Sequence, residues 1–399
     1  MAVLRSLGKR GIPVTVAAEH KNVQAYYSRY CRDFMIYPSA RLDVRLFARS
    51  MVRFLARKHF EALFSMGDLT LWPISKWRGK FERHVKLALP SHSSVEQSFN
   101  KLHTVKLAKK IAVPVPETFW IKNVDQLRSI SARIPYPAVI KPRFSWFWIS
   151  DKTTSEFNLR PEYANTAGEL VCKYMAIHKK SPFPLIQEYV PGSNYSVAVL
   201  CKDSHVKASC FIKVYRAVPV MGGNSTYRET IEPDMRMMHS VSKLMEALDW
   251  NGLAEIEFRL DKRDSTPKLM EINARCWGSM QTAIEAGIDF PNLLYKLVTE
   301  GSVQDSNNYK IGVKSRWLSG DIQRLIRVFN GDYFANKQMS ISKLQELRSF
   351  MNFERETYDG LFWEDIIPFL YSFTRLRMVG RQAPNNIHQE SSLLRLPQS

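Results

Sequence analysis

The stretch KLMEINARCWGS at residues 268–279 carries an acid, an amide and a guanidinium at alternate positions: Glu271, Asn273 and Arg275. Apolar residues lie around them, which is typical of a buried β-strand. Because successive side chains of a strand point to opposite faces, the three polar groups share one face. The row indicates a functional site; on this spacing alone, a solvated edge strand is the alternative.

A second strand with acidic residues is predicted just upstream, at GLAEIEFRLD (252–261), and the polar KRDST between the two predicts a β-hairpin. Pairing can bring Glu257 close to Glu271, and two adjacent carboxylates repel unless a cation lies between them. Oxygen ligands such as Glu257, Glu271 and Asn273 suit Mg²⁺, with Mn²⁺ also possible, and leave positions open for phosphate. A surface ion pair is the alternative, but unpaired charge among apolar residues is costly.

Two lysines precede the hairpin in the sequence. Lys101 begins a helix predicted over 98–110, and Lys141 ends the short apolar strand in YPAVIKP (136–142). Neither follows a G-x-x-x-x-G-K-[ST] loop, so a P-loop site is excluded. Taken singly, each lysine is typical of a solvated surface, but their order before the hairpin suggests a shared site.

Five motifs in this order, over about 180 residues, resemble the ATP-grasp superfamily, specifically the carboxylate–amine ligase branch related to biotin carboxylase and carbamoyl phosphate synthetase. The motifs are NK with the following VPVPET (100–118), YPAVIKP, LIQEYVPG (185–192), AEIEF (254–258) and LMEINAR (269–275). The resemblance runs from about residue 1 to 300. It implies an ATP-grasp fold of two α+β subdomains that grip ATP, and two-step ligation through an acyl phosphate, with ATP going to ADP.

The resemblance also implies a role for each motif. By it, the ATP phosphates are bound by Lys101 and Lys141, and the substrate or acyl phosphate is faced by Arg275. The adenine is held by Glu188 with the main chain of Tyr189 and Val190, and the magnesium ligands are Glu257, Glu271 and Asn273. Gln187 and Asn194 are predicted as ribose or hinge contacts, with a plain structural role equally open.

A loop after the third motif has the pattern R-x-x-P-x-x-G-G-x-S-T, which the ligase branch also shows. Backbone N–H groups beside Gly222 and Gly223 can form an anion-binding nest. With Arg216 and Ser225, they are predicted to contact substrate or phosphate. An ordinary turn that needs a positive φ is the alternative.

The sequence departs from the family pattern in two places. RFSWFWISDK (143–152) follows the second lysine where many relatives have a glycine-rich lid, so phosphate closure is expected from Ser145, Ser150 or the strand backbone. The chain also begins on a helix, whereas the family's first domain opens on a strand and a glycine turn. We therefore expect either that the given sequence starts late or that the first domain is abbreviated and lacks its first strand.

These patterns predict an α/β and α+β chain with several parts. Among its elements, a buried strand is expected at 12–18, helices at 44–60 and about 281–299, and a turn-rich stretch at 221–233. A Rossmann-like α/β pre-ATP-grasp domain is expected at 1–92 and the ATP-grasp domain at 93–302, with a small mobile subdomain at about 120–190. A mixed, mostly helical extension is expected at 303–380 and a disordered tail at 381–399.

Bulk composition narrows the function class. No apolar run is long enough for a membrane helix, and five scattered cysteines without a C-x-x-C argue for reduced thiols in a cytoplasmic protein. The net charge of +19 is spread along the chain without a nucleic-acid motif. We expect an ATP-dependent carboxylate–amine ligase that uses small molecules, with a homodimer possible. Carboxylation through carboxyphosphate and a basic, non-catalytic nucleotide- or polyanion-binding protein are the alternatives.

Overall fold

The computed structural model describes residues 1–144, 147–148, 154–155, 161–220, 222–331, 342–353 and 356–374. Ser145, Ser150 and the tail at 381–399, about which the sequence made predictions, lie outside the described residues.

The described elements alternate between helices and strands along most of the chain. The helices are α1 (Ala2–Gly8), α2 (Val44–Leu55), α3 (Asp68–Lys76), α4 (Arg78–Phe81), α5 (His92–Phe99), α6 (Lys101–Lys110), α7 (Gln126–Ser131), α8 (Ala167–His178), α9 (Met235–Ala247), α10 (Met280–Ala286), α11 (Phe290–Glu300), α12 (Leu318–Asn330), α13 (Lys343–Met351) and α14 (Ile367–Thr374). The strands are β1 (Val14–Ala18), β2 (Cys31–Ile36), β3 (Ala62–Leu63), β4 (Lys86–Leu87), β5 (Thr118–Phe119), β6 (Ala138–Lys141), β7 (Phe147–Trp148), β8 (Thr154–Ser155), β9 (Glu162–Ala164), β10 (Leu185–Glu188), β11 (Gly192–Lys202), β12 (His205–Val218), β13 (Asn224–Thr230), β14 (Gly252–Asp261), β15 (Pro267–Asn273), β16 (Lys314–Arg316) and β17 (Glu356–Tyr358). Two 3₁₀ turns lie at Gln24–Tyr27 and Trp363–Asp365.

The first ninety residues hold two short parallel pairs, β1 with β2 and β3 with β4. The strand predicted at 12–18 is present as β1, half-buried rather than buried, whereas β2 was not predicted. The helix predicted over 44–60 ends at Leu55. Its buried residues Val44, Phe47 and Met51 recur at helical spacing and join the main core.

A small antiparallel sheet with the strand order β5-β10-β6-β9 follows. Helices α7 and α8 contribute to its core, in which Ile140 and Ile186 of the sheet accompany Leu170 and Tyr174 of α8. Lys141 is the last residue of β6 and pairs with Leu185.

The larger sheet has seven strands in the order β15-β14-β11-β12-β13-β16-β17, antiparallel except for the parallel pair β16–β17. Strand β11, the third in this order, is buried on both faces. Val197 and Val199 pack into a core shared with α2, α5 and α9, while Ala198 and Leu200 pack with α10 and α11 on the other face. This alternation follows from the two-residue period of a strand.

Three elements differ from the prediction. The stretch 221–233, expected to be turns, contains strand β13. The helix expected over 98–110 is broken at Asn100, whose extended backbone and side-chain oxygen cap the N-terminus of α6. The helix expected over 281–299 is split at Gly287, whose φ of 110° ends α10, and a new helix begins at Phe290.

Candidate active site

The predicted hairpin is present, and its register decides the site. Glu257 of β14 is paired directly with Glu271 of β15, and Glu255 is paired with Asn273. The Nδ2 group of Asn273 donates to Glu257 Oε1 at 2.8 Å and to Glu255 Oε2 at 3.3 Å. Ser279 Oγ donates to the other Glu255 oxygen at 3.2 Å. The hairpin thus brings two carboxyl groups, Glu255 and Glu257, onto one amide, with Glu271 opposite Glu257 in the register.

A cavity of about 860 Å³ lies against this hairpin. The predicted site residues that line it are Lys101, Lys141, Asn194, Gly222, Gly223, Ser225, Glu257, Glu271, Asn273 and Arg275. Within the described part of the chain, its walls do not include Gln187, Glu188, Tyr189, Val190 or Arg216. The remaining wall comes partly from outside the predicted ATP-grasp region, for example Asp68 near the N-terminus and Asp359 in the C-terminal extension.

Two carboxyl groups of the hairpin, Glu255 and Glu257, have pKa values that are raised toward the protonated form. Burial, together with the neighbouring Glu255 and Glu271, raises the pKa of Glu257 to about 8. Burial also raises the pKa of Glu255. A bound cation would favour the ionised form of both groups and relieve their mutual repulsion.

Lys101 and Lys141 supply positive charge from two different elements. Lys101 Nζ donates to Glu271 Oε1 at 2.8 Å. Burial opposes ionisation of Glu271, but the charge and hydrogen bond of Lys101, with Lys141 nearby, lower its pKa. Burial lowers the pKa of Lys141 to about 8, with Glu271 acting in the opposite direction. The two lysines and Glu271 therefore form one charged group at the cavity wall.

The donor set fits a hard divalent cation. No three His, Cys, Asp or Glu side chains among the described residues converge closely enough to hold a metal ion. The predicted set differs from such a cluster, because it has two carboxylates, Glu257 and Glu271, and the amide of Asn273. Rotation of that amide would present Oδ1 in place of Nδ2. Ligands of this kind suit Mg²⁺ or Mn²⁺ and leave positions for phosphate oxygens.

Arg275 lies just beyond the metal set, and its partner was not predicted. Its Nε donates to Asp68 Oδ1 at 3.0 Å, and its Nη1 donates to the Cys276 carbonyl at 3.1 Å. Asp68 opens α3, 207 residues earlier in the chain. A weak signal existed in the sequence, since an acid shortly after a strand such as β3 often lies at the functional edge of an α/β unit.

The hinge residues after β10 lie against the hairpin turn. Glu188 accepts from Lys268 Nζ at 2.7 Å, from Arg263 Nη2 at 2.6 Å and from the Glu117 backbone N–H at 3.0 Å. Burial opposes this ionised state, but these donors lower the pKa of Glu188. The Tyr189 N–H donates to the Pro137 carbonyl at 3.1 Å. The Glu188 carboxylate is thus occupied by protein donors.

The neighbouring Gln187 and Val190 are buried. Gln187 Nε2 donates to Thr118 Oγ1 at 2.9 Å, while its Oε1 has no partner within the described residues. Asn194, predicted with them, instead lies at the cavity wall.

The predicted glycine loop lines the cavity, but Arg216 does not accompany it. Arg216 is buried and donates to both oxygens of Asp321 at 2.9 and 2.6 Å. A Cβ on Gly223 would lie 2.4 Å from the Val218 carbonyl oxygen, so this position requires glycine. Ser225 is held through its carbonyl oxygen, which accepts from Arg228 Nη1 at 3.0 Å.

Arg228 was not predicted, and it joins three parts of the structure. The buried guanidinium donates to Thr282 Oγ1 of α10 at 2.7 Å and forms an ion pair with Asp359, next to β17. Through these contacts the glycine loop is tied to the C-terminal extension.

The fold is that of the ATP-grasp superfamily, and comparison with known proteins confirms the resemblance that the five motifs carry. Residues 180–320 match a family described as "ATP-grasp in the biosynthetic pathway with Ter operon". The biotin carboxylase domain of 2-oxoglutarate carboxylase from Hydrogenobacter thermophilus, solved with MgADP, ADP and bicarbonate, superposes with a TM-score of 0.60 at 14% identity, covering 78% of this chain and 70% of that one. At this identity the likeness shows the fold.

Two curated relatives share sequence with the chain. The carbamoyl phosphate synthase large chain of Pyrococcus furiosus is 22% identical over 239 residues, 58% of this chain and 21% of that protein. The D-aspartate ligase of Enterococcus faecium is 21% identical over 249 residues, 58% of either chain. The matched region thus covers about a fifth of the carbamoyl phosphate synthase large chain and rather more than half of the D-aspartate ligase. Among the described residues, no helix is long and apolar enough to cross a membrane.

Proposed function

We propose that this chain is an ATP-dependent carboxylate–amine ligase that forms an amide and converts ATP to ADP and phosphate. One observation carries the proposal: a single cavity is lined by the Glu257–Glu271 pair, Asn273, two lysines and Arg275. One relative of this chain, the D-aspartate ligase, is also named as a ligase.

The chemistry needs little from the protein beyond position and charge. A substrate carboxylate attacks the γ-phosphorus of ATP, the bond from that phosphorus to the bridging oxygen breaks, and ADP leaves with an acyl phosphate formed. An amine then attacks the acyl carbon, phosphate leaves, and the amine nitrogen loses a proton. Every atom of the phosphoryl group is therefore accounted for as inorganic phosphate.

The residues divide this work by charge. Lys101 and Lys141 would offset the charge of the ATP phosphates, and Arg275 would stabilise the group that develops charge during transfer. Mg²⁺, held by Glu257, Glu271 and Asn273, would supply charge neutralisation at the phosphate oxygens.

The proposal extends to the adenine and to the rest of the predicted set. Because Glu188 already accepts from Lys268 and Arg263, we assign adenine contacts to the main chain after β10, with Glu188 setting the conformation of this segment. Gly222, Gly223 and Ser225 are proposed for the substrate or phosphate, and Asn194 for the nucleotide. Arg216 is proposed as a structural residue because of its pair with Asp321.

We propose the predicted domain boundaries with this function: a pre-ATP-grasp domain at 1–92, an ATP-grasp domain at 93–302 and an extension at 303–380. A cytoplasmic location, where ATP is available, belongs to the same proposal. A homodimer is left as a possibility that light scattering coupled to size-exclusion chromatography measures directly.

The test measures nucleotide products. ATP, Mg²⁺ and pooled carboxylates and amines are incubated with wild type, Glu271→Ala and Lys141→Ala. We expect ADP from wild type and no turnover from either variant, with circular dichroism spectra unchanged. Glu246→Gln and Lys110→Ala, at exposed positions on α9 and α6, are matched controls that should remain active.

Two outcomes contradict the proposal. AMP as the product would exclude an acyl phosphate route, and turnover that survives Glu271→Ala would exclude the metal assignment. ADP formation that depends on bicarbonate but on no amine would favour the carboxylation alternative, the chemistry of the biotin carboxylase relative. Nucleic-acid binding that is steeply salt-dependent, without ATP turnover, would favour the polyanion-binding alternative.

A further inference from the structure

Asp68 is placed where the N-terminal region reaches the cavity. It is the first residue of α3, and its side chain is 18% exposed, against 28% for its partner Arg275. Asp68 Oδ1 accepts from Arg275 Nε at 3.0 Å, and both residues line the cavity. A charge-assisted hydrogen bond to Nε restrains the direction of the planar guanidinium.

Two of the three guanidinium nitrogens of Arg275 are therefore held by protein acceptors. Nε contacts Asp68, and Nη1 contacts the Cys276 carbonyl at 3.1 Å. Within the ranges that the structure describes, Nη2 has no protein hydrogen-bond partner. This nitrogen can therefore serve a bound ligand.

Four carboxyl groups attract the positive charge of Arg275, and they lie on different elements of the structure. Asp68 has the largest influence among them, followed by Glu255, Glu271 and Glu257. The last three belong to the hairpin, in which two of them are predicted metal ligands. Without Asp68, the attraction of the hairpin carboxylates would be unopposed, and Arg275 would turn toward the metal set instead of the reacting group.

We propose that Asp68 is a positioning residue, which holds Arg275 with Nη2 toward the group undergoing transfer. This inference rests on the proposed ligase function and adds a role for the N-terminal region in the phosphoryl-transfer step. Asp68 itself need not contact a substrate, because it acts through the guanidinium.

A double-mutant cycle tests this role. Asp68→Ala should lower kcat on the order of a hundredfold, the effect of misplacing a reacting group by about 1 Å, while KM for ATP stays unchanged. The double variant Asp68→Ala/Arg275→Ala should be no slower than Arg275→Ala alone, because the two residues act as a unit. Additive losses would overturn the inference.

Chemical rescue gives a readout that a purely structural role would not affect. Guanidinium chloride should restore part of the kcat of Arg275→Ala, because Asp68 can hold the free cation. It should restore none in the double variant. Equal rescue in both would overturn the proposal.

A matched control separates positioning from stability. Asp289 pairs with Arg10 of the N-terminal region at 2.8 Å and lies outside the cavity wall within the described residues. Asp289→Asn removes that charge and should leave kcat unchanged, even where it lowers the denaturation midpoint as much as Asp68→Asn does. A matching loss of kcat in both variants would overturn the inference.

The crystal structure of Asp68→Ala distinguishes failure of this inference from failure of the proposed function. If wild type produces no ADP from any substrate pool, the proposed function fails, and the double-mutant cycle has no kcat to compare. The structure then still decides the inference. Arg275 turned toward Glu255 or Glu257 would support it, and an unmoved Arg275 would overturn it.

Discussion

Replacing Lys141 with methionine should stabilise the ligand-free protein and abolish its activity. Burial at the end of β6 lowers the pKa of Lys141 from 10.5 to about 8. This lowering of the pKa corresponds to about 3 kcal/mol of preference for the neutral form of the lysine. The charged lysine therefore destabilises the folded state by up to this amount at pH 7, and methionine removes the charge with little change of shape. Because Lys141 lines the open cavity, about 3 kcal/mol is an upper value.

The pH dependence has a definite sign. At pH 7 the lysine is protonated in both the folded and the unfolded state, and the full cost is present. Between about pH 8 and 10.5 the folded state has lost the proton that the unfolded state still holds, so the stability of wild type rises with pH. The advantage of Lys141→Met should therefore shrink to about 1 kcal/mol at pH 9.5.

Urea denaturation followed by the fluorescence of the nine tryptophans measures both effects. Wild type, Lys141→Met and the exposed control Lys110→Met are compared at pH 7 and pH 9.5. Calorimetric titration with MgADP should show weaker binding to Lys141→Met alone. A variant less stable than wild type at pH 7, or an advantage that grows with pH, would refute the argument that a buried charge is kept for function.

Three further predictions concern the other parts of the site. Glu257→Gln should abolish Mg²⁺-dependent turnover. In wild type, Glu257 retains its proton up to about pH 8 when the protein is folded but only to about pH 4.5 when it is unfolded, so the stability of wild type falls as the pH rises between these values. The variant lacks this carboxyl group and should not show that fall, which denaturation at pH 5 and pH 8 measures. Gly223→Ala places a methyl group 2.4 Å from the Val218 carbonyl oxygen and should raise KM for a substrate while KM for ATP holds, a split that steady-state kinetics would show. Glu188→Gln weakens the charge-assisted bond to Lys268, worth about 1.5–3 kcal/mol, and should speed proteolysis of the small sheet in the absence of nucleotide; unchanged cleavage would contradict this role.

The hairpin was predictable because its information is local. Alternation along AEIEF and LMEINA determines which side chains share a face, and the short polar connection requires antiparallel pairing, so the meeting of Glu257 and Glu271 follows from a two-residue period. The lysines were found differently, from the order of motifs in a known superfamily, because nothing near Lys101 or Lys141 in the sequence indicates that they face the same cavity.

Residues whose role depends on a distant partner were not predictable. Asp68 contacts Arg275 across 207 positions, and no periodic pattern links them. Arg216 was predicted near the substrate, but Asp321, 105 positions away, binds its guanidinium. Similarly, β13 has a sequence typical of turns and becomes a strand because β12 and β16 pair with it on both sides.

The C-terminal extension continues the sheet that carries the site, since β16 pairs with β13 and β17 pairs with β16. Removing it would uncover the backbone donors and acceptors of β13 and invite pairing between molecules, with aggregation as the result. It would also release Arg228 from Asp359 and so free the glycine loop. The extension therefore cannot be exchanged as an independent module, because the segment that shapes one wall of the cavity also covers the edge of β13.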